Sequence, residues 1–167
     1  MGGRSLDVAS PEDREFLAQI PIFGGLSEAV LTKILGAARE VNVAAGARVI
    51  GEGDLAVNMF VVRDGELEIC KLGRNGAEFC LAILKRGDCV GEMSIIDIQP
   101  RSATVRAIGA ATLYVLDQTA IAKLYQTDLE VYTLLVLNIA REISRRLRHA
   151  NQVLVDLGIA VQDPWGR

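Results

Sequence analysis

Gly91, Glu92, Arg101 and Ser102 fall within one short stretch and are of types that can bind an anion. Arg101 carries a planar guanidinium, which can grip two oxygens of one phosphate. Ser102 adds a hydroxyl and a backbone N–H beside it. Gly91 has no Cβ, so the backbone there can come close to a ligand. Glu92 cannot hold a phosphate, because like charges repel. A carboxylate next to a bound phosphate suits a sugar hydroxyl, from which it accepts a hydrogen bond. A helix of about two turns is expected over residues 92–98, ended by Pro100. Its free N–H groups and positive end would face the anion. One carboxylate for a ribose and one guanidinium for a phosphate, on one compact loop, describe a nucleotide site.

The elements that must position this loop follow from the local patterns. Residues 1–9 read as a loose arm. Ser10, Pro11, Glu12 and Asp13 form a helix start, with Phe16, Leu17 and Ile20 as its apolar face. Residues 23–26 break the chain, and Ser27 opens a second helix expected to run to about Ala38. From residue 41 to 116 the signals change to short β-leaning runs: 41–43, 48–50, 59–62, 67–69, 79–83, 103–107 and 113–115. Asp64-Gly65 and Asn75-Gly76 each sit between such runs and predict type I′ hairpins. Many short strands with glycine turns argue a sandwich or barrel. Asp117 then caps a helix through Tyr125, and a longer helix is expected from Asp128 to about Leu157. Its stripe is Leu129, Tyr132, Val136, Ile139, Ile143, Leu147, Ala150, Leu154 and Leu157, a coiled-coil-like seam with a stutter. A helix of ~30 residues spans ~45 Å and would outrun a small β-domain. Part of the stripe therefore needs another partner, most simply the same helix of a second copy.

The chain has 167 residues, half of them hydrophobic, enough for one domain with a substantial core. A net charge of −3 argues mildly against a free-standing nucleic-acid binder. Cys70, Cys80 and Cys89 lack metal-type spacing and read as reduced core thiols. No apolar leader opens the sequence, and no apolar run in it, residues 134–137 among them, is long enough to span a bilayer; the expected location is cytoplasmic. His149 is the one histidine, too few for the metal site of a cupin-type barrel enzyme. No Ser-His-acid or Cys-His set can be assembled, so the reading is a binding module without metal, not an enzyme.

The order Gly91-Glu92-Met93-Ser94, then Pro100-Arg101-Ser102-Ala103-Thr104-Val105, resembles the phosphate-binding cassette of cyclic nucleotide-binding domains. That family includes catabolite-activator-type regulators, regulatory subunits of protein kinase A and the tails of nucleotide-gated channels. Its usual Phe before the Gly-Glu pair is replaced here by Val90. The resemblance covers residues 11–157. It includes residues 46–54 as the family's early strand pair and residues 59–66 as its following strand and turn. It implies a mainly β fold with flanking helices, a jelly-roll-like β-roll followed by a long dimerisation helix. The implied layout is an arm (1–9), the β-roll with its helices (10–127), the long helix as dimer interface and lid (128–160) and a tail (161–167).

Carried over residue by residue, the resemblance assigns Arg101, Ser102 and Ala103 to the phosphate and Gly91, Glu92 and Met93 to the ribose. In catabolite-activator-type relatives two polar residues after an Arg-Arg-Leu run meet the purine. Here that run is Arg145-Arg146-Leu147, and the carried positions hold Ala150 and Asn151, of which only Asn151 can hydrogen-bond a base. Met93, Val49, Val62, Leu67, Leu81, Ala103 and Val105 are candidates for the pocket wall or for plain core. Arg141, Arg145 and Arg148, with Arg146 and His149 nearby, read as a solvated helix face, the alternative being a docking surface for an acidic partner or a nucleic-acid backbone. The implied ligand is cAMP, with cGMP an alternative, and the implied partners are a second copy and an unidentified downstream protein. About ten residues follow Leu157, fewer than a helix-turn-helix needs, so specific DNA binding by this chain alone is not expected. The chain reads as a second-messenger sensor that signals through its long helix. The alternatives are a dimerisation module with a vestigial site and the sensor half of a transcription regulator.

Overall fold

The computed structural model describes residues 3–6, 10–97 and 99–158. The tail expected over 161–167, most of the expected arm and Ile98 lie outside the described residues.

Ser10 caps the first helix, α1 (Pro11–Ala18), in a reciprocal box: its hydroxyl accepts from the Asp13 N–H at 3.1 Å, while the Ser10 N–H donates to the Asp13 carboxylate at 3.2 Å. A single 3₁₀ turn (Pro21–Phe23) follows, and Ser27 caps α2 (Glu28–Gly36). That helix stops two residues before the expected Ala38. Ala38 is instead the first residue of strand β2 (Ala38–Val43), where it pairs with Leu116 and fills the helix-side core. Arg4–Ser5, inside the expected arm, is a short strand β1 paired with Arg39 and Glu40.

The remaining strands are β3 (Arg48–Ile50), β4 (Asn58–Asp64), β5 (Leu67–Leu72), β6 (Glu78–Leu84), β7 (Cys89–Val90), β8 (Thr104–Ala107) and β9 (Ala111–Asp117). They form two antiparallel sheets in the orders β1-β2-β9-β4-β7 and β3-β8-β5-β6. The central strands of the larger sheet are buried on both faces. On β4 and β9, Met59, Val61, Tyr114 and Leu116 face the helices, whereas Phe60, Val62, Leu113 and Val115 face the other sheet. A strand's two-residue period puts alternate side chains into two different cores.

Neither expected type I′ hairpin forms. That turn needs positive φ at both central residues, and among the described residues only glycines have it. Gly65 has φ 84° but joins β4 to β5, which lie in different sheets, so the turn is a crossover. The β5–β6 connection is a hairpin, but a longer one. Gly76 donates its N–H to the Gly73 carbonyl at 2.9 Å, and Gly73 donates to Ala77 at 2.7 Å. Of the three cysteines expected in the core, Cys70 and Cys89 are buried and Cys80 is exposed on the edge strand β6.

Asp117 caps α4 (Gln118–Thr127) and Asp128 caps α5 (Leu129–Asp156), each through its carboxylate. The α5 stripe divides. Leu135, Asn138 and Ile139 are buried against the domain, while Leu129, Leu147, Leu154 and Leu157 are exposed. Asn138 fixes the helix to the 3₁₀ turn by donating to the carbonyls of Ile22 (3.3 Å) and Gly24 (2.8 Å). Among the described residues no helix is long and apolar enough to cross a membrane.

α1 is pinned to the sheet by a polar cluster. The Tyr114 hydroxyl donates to Asp13 at 2.5 Å and accepts from Arg63 Nε at 2.9 Å, and the guanidinium groups of Arg63 and Arg86 both lie over the Phe16 ring. Burial alone would raise the Asp13 pKa, but the hydrogen bonds from Tyr114 and Ser10 and the Arg63 charge hold it below the usual carboxylate value. A depressed folded pKa stabilises the fold above the unfolded value, and that stability is lost as pH falls through the folded one. Tyr114→Phe should therefore cost about 1.5–3 kcal/mol at neutral pH. The deficit should shrink as the solution is acidified below the unfolded pKa of Asp13, read from urea midpoints across pH. A deficit independent of pH would remove Asp13 from the account.

Candidate functional site

β7 ends at Val90, and Gly91 turns the chain with φ 83°. A Cβ on Gly91 would lie 2.9 Å from the Asn58 carbonyl oxygen and 2.5 Å from Arg101 Nη1. Glycine is thus required here for the turn and for the close approach of Arg101. The helix that follows, α3 (Met93–Ile96), is one turn rather than the expected two, because Asp97 is already extended (φ −124°, ψ 149°). One turn is too short to carry an appreciable macrodipole, so the positive charge here comes from Arg101. Ser94 braces the turn: its hydroxyl donates to the Gly91 carbonyl at 2.6 Å, and its own carbonyl accepts from Gln118 at 3.0 Å.

Arg101 is locked by its own backbone. Its N–H donates to the Asp54 carbonyl at 2.9 Å, and its carbonyl accepts from the Gly53 N–H at 2.8 Å. Residues 51–54 therefore buttress this arginine as well as ending β3. The guanidinium is half-buried and, among the described residues, donates to backbone carbonyls alone, those of Gly91 (3.3 Å) and Asn58. No carboxylate of the described residues lies within ion-pair distance of it, and burial lowers its pKa. The Glu92 and Asp54 carboxylates pull the other way from a distance and do not offset burial. Beside it the Ser102 carbonyl accepts from Lys71 Nζ at 2.5 Å, and Lys71 pairs with Glu52 at 2.9 Å.

Glu92 is 4 % exposed. Arg146, from the middle of α5, donates to it at 3.1 Å, to the Cys89 carbonyl at 2.9 Å and to Glu142 at 2.9 Å. Burial raises the Glu92 pKa against the pull of Arg146.

These groups open on one cavity of about 470 Å³. Its lining includes Gly91, Glu92, Met93, Arg101, Ser102 and Ala103, all named from the sequence, and Ala150. Asn151 is exposed and does not line it. Leu81 and Val105 are in the wall; Val49, Val62 and Leu67 are not, and Val62 and Leu67 are wholly buried core. Arg146 was missed, having been read as part of a solvated face. It lines the cavity with Ile143, Leu147 and Ala150, and that spacing of threes and fours marks a single helix face. Of the other arginines, Arg141 donates to Asn138 at 3.0 Å and Arg145 pairs with Glu142. Among the described residues no three His, Cys, Asp or Glu side chains are placed to hold a metal.

The family model described as "Cyclic nucleotide-binding domain" matches residues 40–128, more than half of the chain. This chain belongs to the cyclic nucleotide-binding domain family. It is 32 % identical over 109 residues to a cAMP-dependent protein kinase regulatory subunit of Blastocladiella emersonii, covering 65 % of this chain and 27 % of that one. It is 27 % identical over 143 residues to a CRP-like cAMP-activated global transcriptional regulator of Mycobacterium tuberculosis (strain CDC 1551 / Oshkosh), covering 86 % of this chain and 62 % of that one. The chain thus spans less than two thirds of the length of either relative. A crystal structure of a cyclic nucleotide-binding domain from Methylobacillus flagellatus shares the fold, with a TM-score of 0.82 at 22 % identity over 98 % of this chain and 90 % of that one.

The raised pKa of Glu92 has a definite sign in stability. A carboxyl whose folded pKa lies above its unfolded value favours the fold while protonated, and that favour is lost as pH rises through the folded value. Relative to the parent protein, Glu92→Gln should gain thermal stability on going from pH 4 to pH 7. A difference that stays constant, or moves the other way, would show that Arg146 outweighs burial.

Proposed function

We propose that this chain is a sensor that binds a cyclic nucleotide, cAMP, in the cavity between α3 and α5. The observation that carries the reading is the Arg101 guanidinium, which makes no ion pair among the described residues, beside the buried Glu92 carboxylate in one cavity. The cavity volume falls within the ~300–1,000 Å³ of small-molecule sites. Arg101 would take the cyclic phosphate, with Ser102 and Ala103 beside it; Glu92 would accept from the ribose hydroxyl between Gly91 and Met93. The names of both relatives, one a cAMP-dependent kinase subunit and one a cAMP-activated regulator, support cAMP over cGMP. At the base, Ala150 stands at the cavity wall and offers no hydrogen bond, while Asn151 faces away from it. Discrimination between the purines would then need a small movement of α5.

Signalling runs through that helix. Arg146 ties α5 to Glu92, so a ligand that engages Glu92 acts on the helix through one ion pair. A ligand shifts such an equilibrium only by its differential affinity for the two positions. The exposed Leu147, Leu154 and Leu157, at spacings of seven and three, are the seam on which the α5 of a second copy would pack.

Titration calorimetry with cAMP and cGMP tests the reading, with Arg101→Ala in parallel. Binding at micromolar concentration or tighter is expected, with a loss of about 2–5 kcal/mol in the variant, ~30-fold or more in affinity. No heat with either nucleotide, in folded protein freed of carried-over ligand, would leave a dimerisation module with a vestigial site. For the seam, sedimentation should give a dimer, and Leu154→Glu a monomer. A monomeric parent protein would remove the second copy.

A further inference from the structure

β6 pairs with β5 through a bulge. Ile69 faces Ala82, Cys70 faces Cys80, and Leu81 is the extra residue between them. Opposed residues of an antiparallel pair carry their side chains on the same face. Here that is the outer face, away from the cavity. Cys70 and Glu68 both meet Arg106 there, at 3.4 Å from the Cys70 sulfur and 2.9 Å from the Glu68 carboxylate, and Glu78 of β6 meets it at 2.6 Å. Opposed residues have Cα atoms ~4.5–5.5 Å apart, within the ~4.4–6.8 Å that a disulfide spans. The two thiols differ in access. Cys70 is 1 % exposed beneath Arg106, whereas Cys80 is open to solvent on an edge strand with its thiol turned to the Ala82 carbonyl at 3.7 Å. Burial pushes the Cys70 thiol up, and the Arg106 charge pulls it back. Cys89 is buried in the helix-side core on a strand of the other sheet.

We propose that Cys70 and Cys80 form a two-thiol modification site, which hydrogen peroxide closes into a cross-strand disulfide. The exposed Cys80, as thiolate, attacks the O–O bond; a sulfenic acid forms and hydroxide leaves, taking a proton to become water. Cys70 then loses its proton, the Arg106 guanidinium stabilising the thiolate, and attacks the Cys80 sulfur. The S–S bond forms as the S–O bond breaks, and the oxygen leaves as a second water. Two thiols are oxidised and one peroxide is reduced. The bridge cross-links β5 and β6 at the bulge. Ile69 and Leu81, which flank it on the inner face, both line the cavity.

The fully reduced chain, treated with stoichiometric hydrogen peroxide, alkylated and digested, tests this by mass spectrometry. The expected product has lost two hydrogens, yields one linked peptide pair containing Cys70 and Cys80, and reverts with dithiothreitol. Cys80→Ser, an exposed and conservative change, should abolish the link; Cys89→Ala should leave it intact, with circular dichroism confirming that both variants fold. Cys80 oxidised or alkylated without a bond to Cys70, a Cys80 link between two chains, or no reaction at all would each overturn the proposal.

Discussion

Glu92 places a carboxylate where water hardly reaches, and much of the surrounding architecture answers that one buried charge. Taking an ion out of water costs several kcal/mol even after relaxation. The compensation comes from Arg146, some fifty residues away in the chain, and it reaches Glu92 only because α5 is held at a fixed height. That height is set by Leu135 and Ile139 in the helix-side core and by Asn138 on the carbonyls of the 3₁₀ turn. The ion pair therefore joins the loop after β7 to α5, although burial still outweighs it at Glu92. Any group that offers Glu92 a better partner also changes what holds α5.

Arg101 is the complementary case, a charge positioned without an ion pair among the described residues. Its backbone is pinned to the Gly53–Asp54 turn, and its guanidinium rests on two carbonyls, with room for it created by the absence of a Cβ at Gly91. Carbonyls orient a guanidinium but do not neutralise it. The two charges of the site thus differ in kind. Glu92 is paired with Arg146, whereas Arg101 rests on backbone carbonyls.

The β-roll provides the rigidity that both charges need. Its larger sheet is sandwiched between two apolar layers, which fixes the register of β4 and β9 and hence the ends of β7 and α3. Polar pinning at the rim, through Tyr114, Asp13 and the two arginines stacked on Phe16, does the same for α1. The smaller sheet ends instead on an exposed edge strand, and there the sheet carries its bulge and its pair of facing cysteines.

The sequence by itself determined whatever depends on near neighbours. Capping residues placed the starts of α1, α2, α4 and α5, since a cap acts within a few residues of itself. The Gly91–Glu92 and Arg101–Ser102 pairs marked the cassette, because its members lie on one short loop. Local patterns could not supply what depends on distant pairing. Asp64-Gly65 has the composition of a hairpin turn, yet which sheet β5 joins is decided by its partners β6 and β8, so the turn became a crossover. The second helix ended early because Ala38 was claimed by a strand that pairs with β9. Arg146 looked like one of several exposed arginines, and only the packing of α5 chose it over Arg141 and Arg145 to meet Glu92. Helical periodicity shows that residues share a face. Which face turns inward is fixed by what the rest of the chain brings against it.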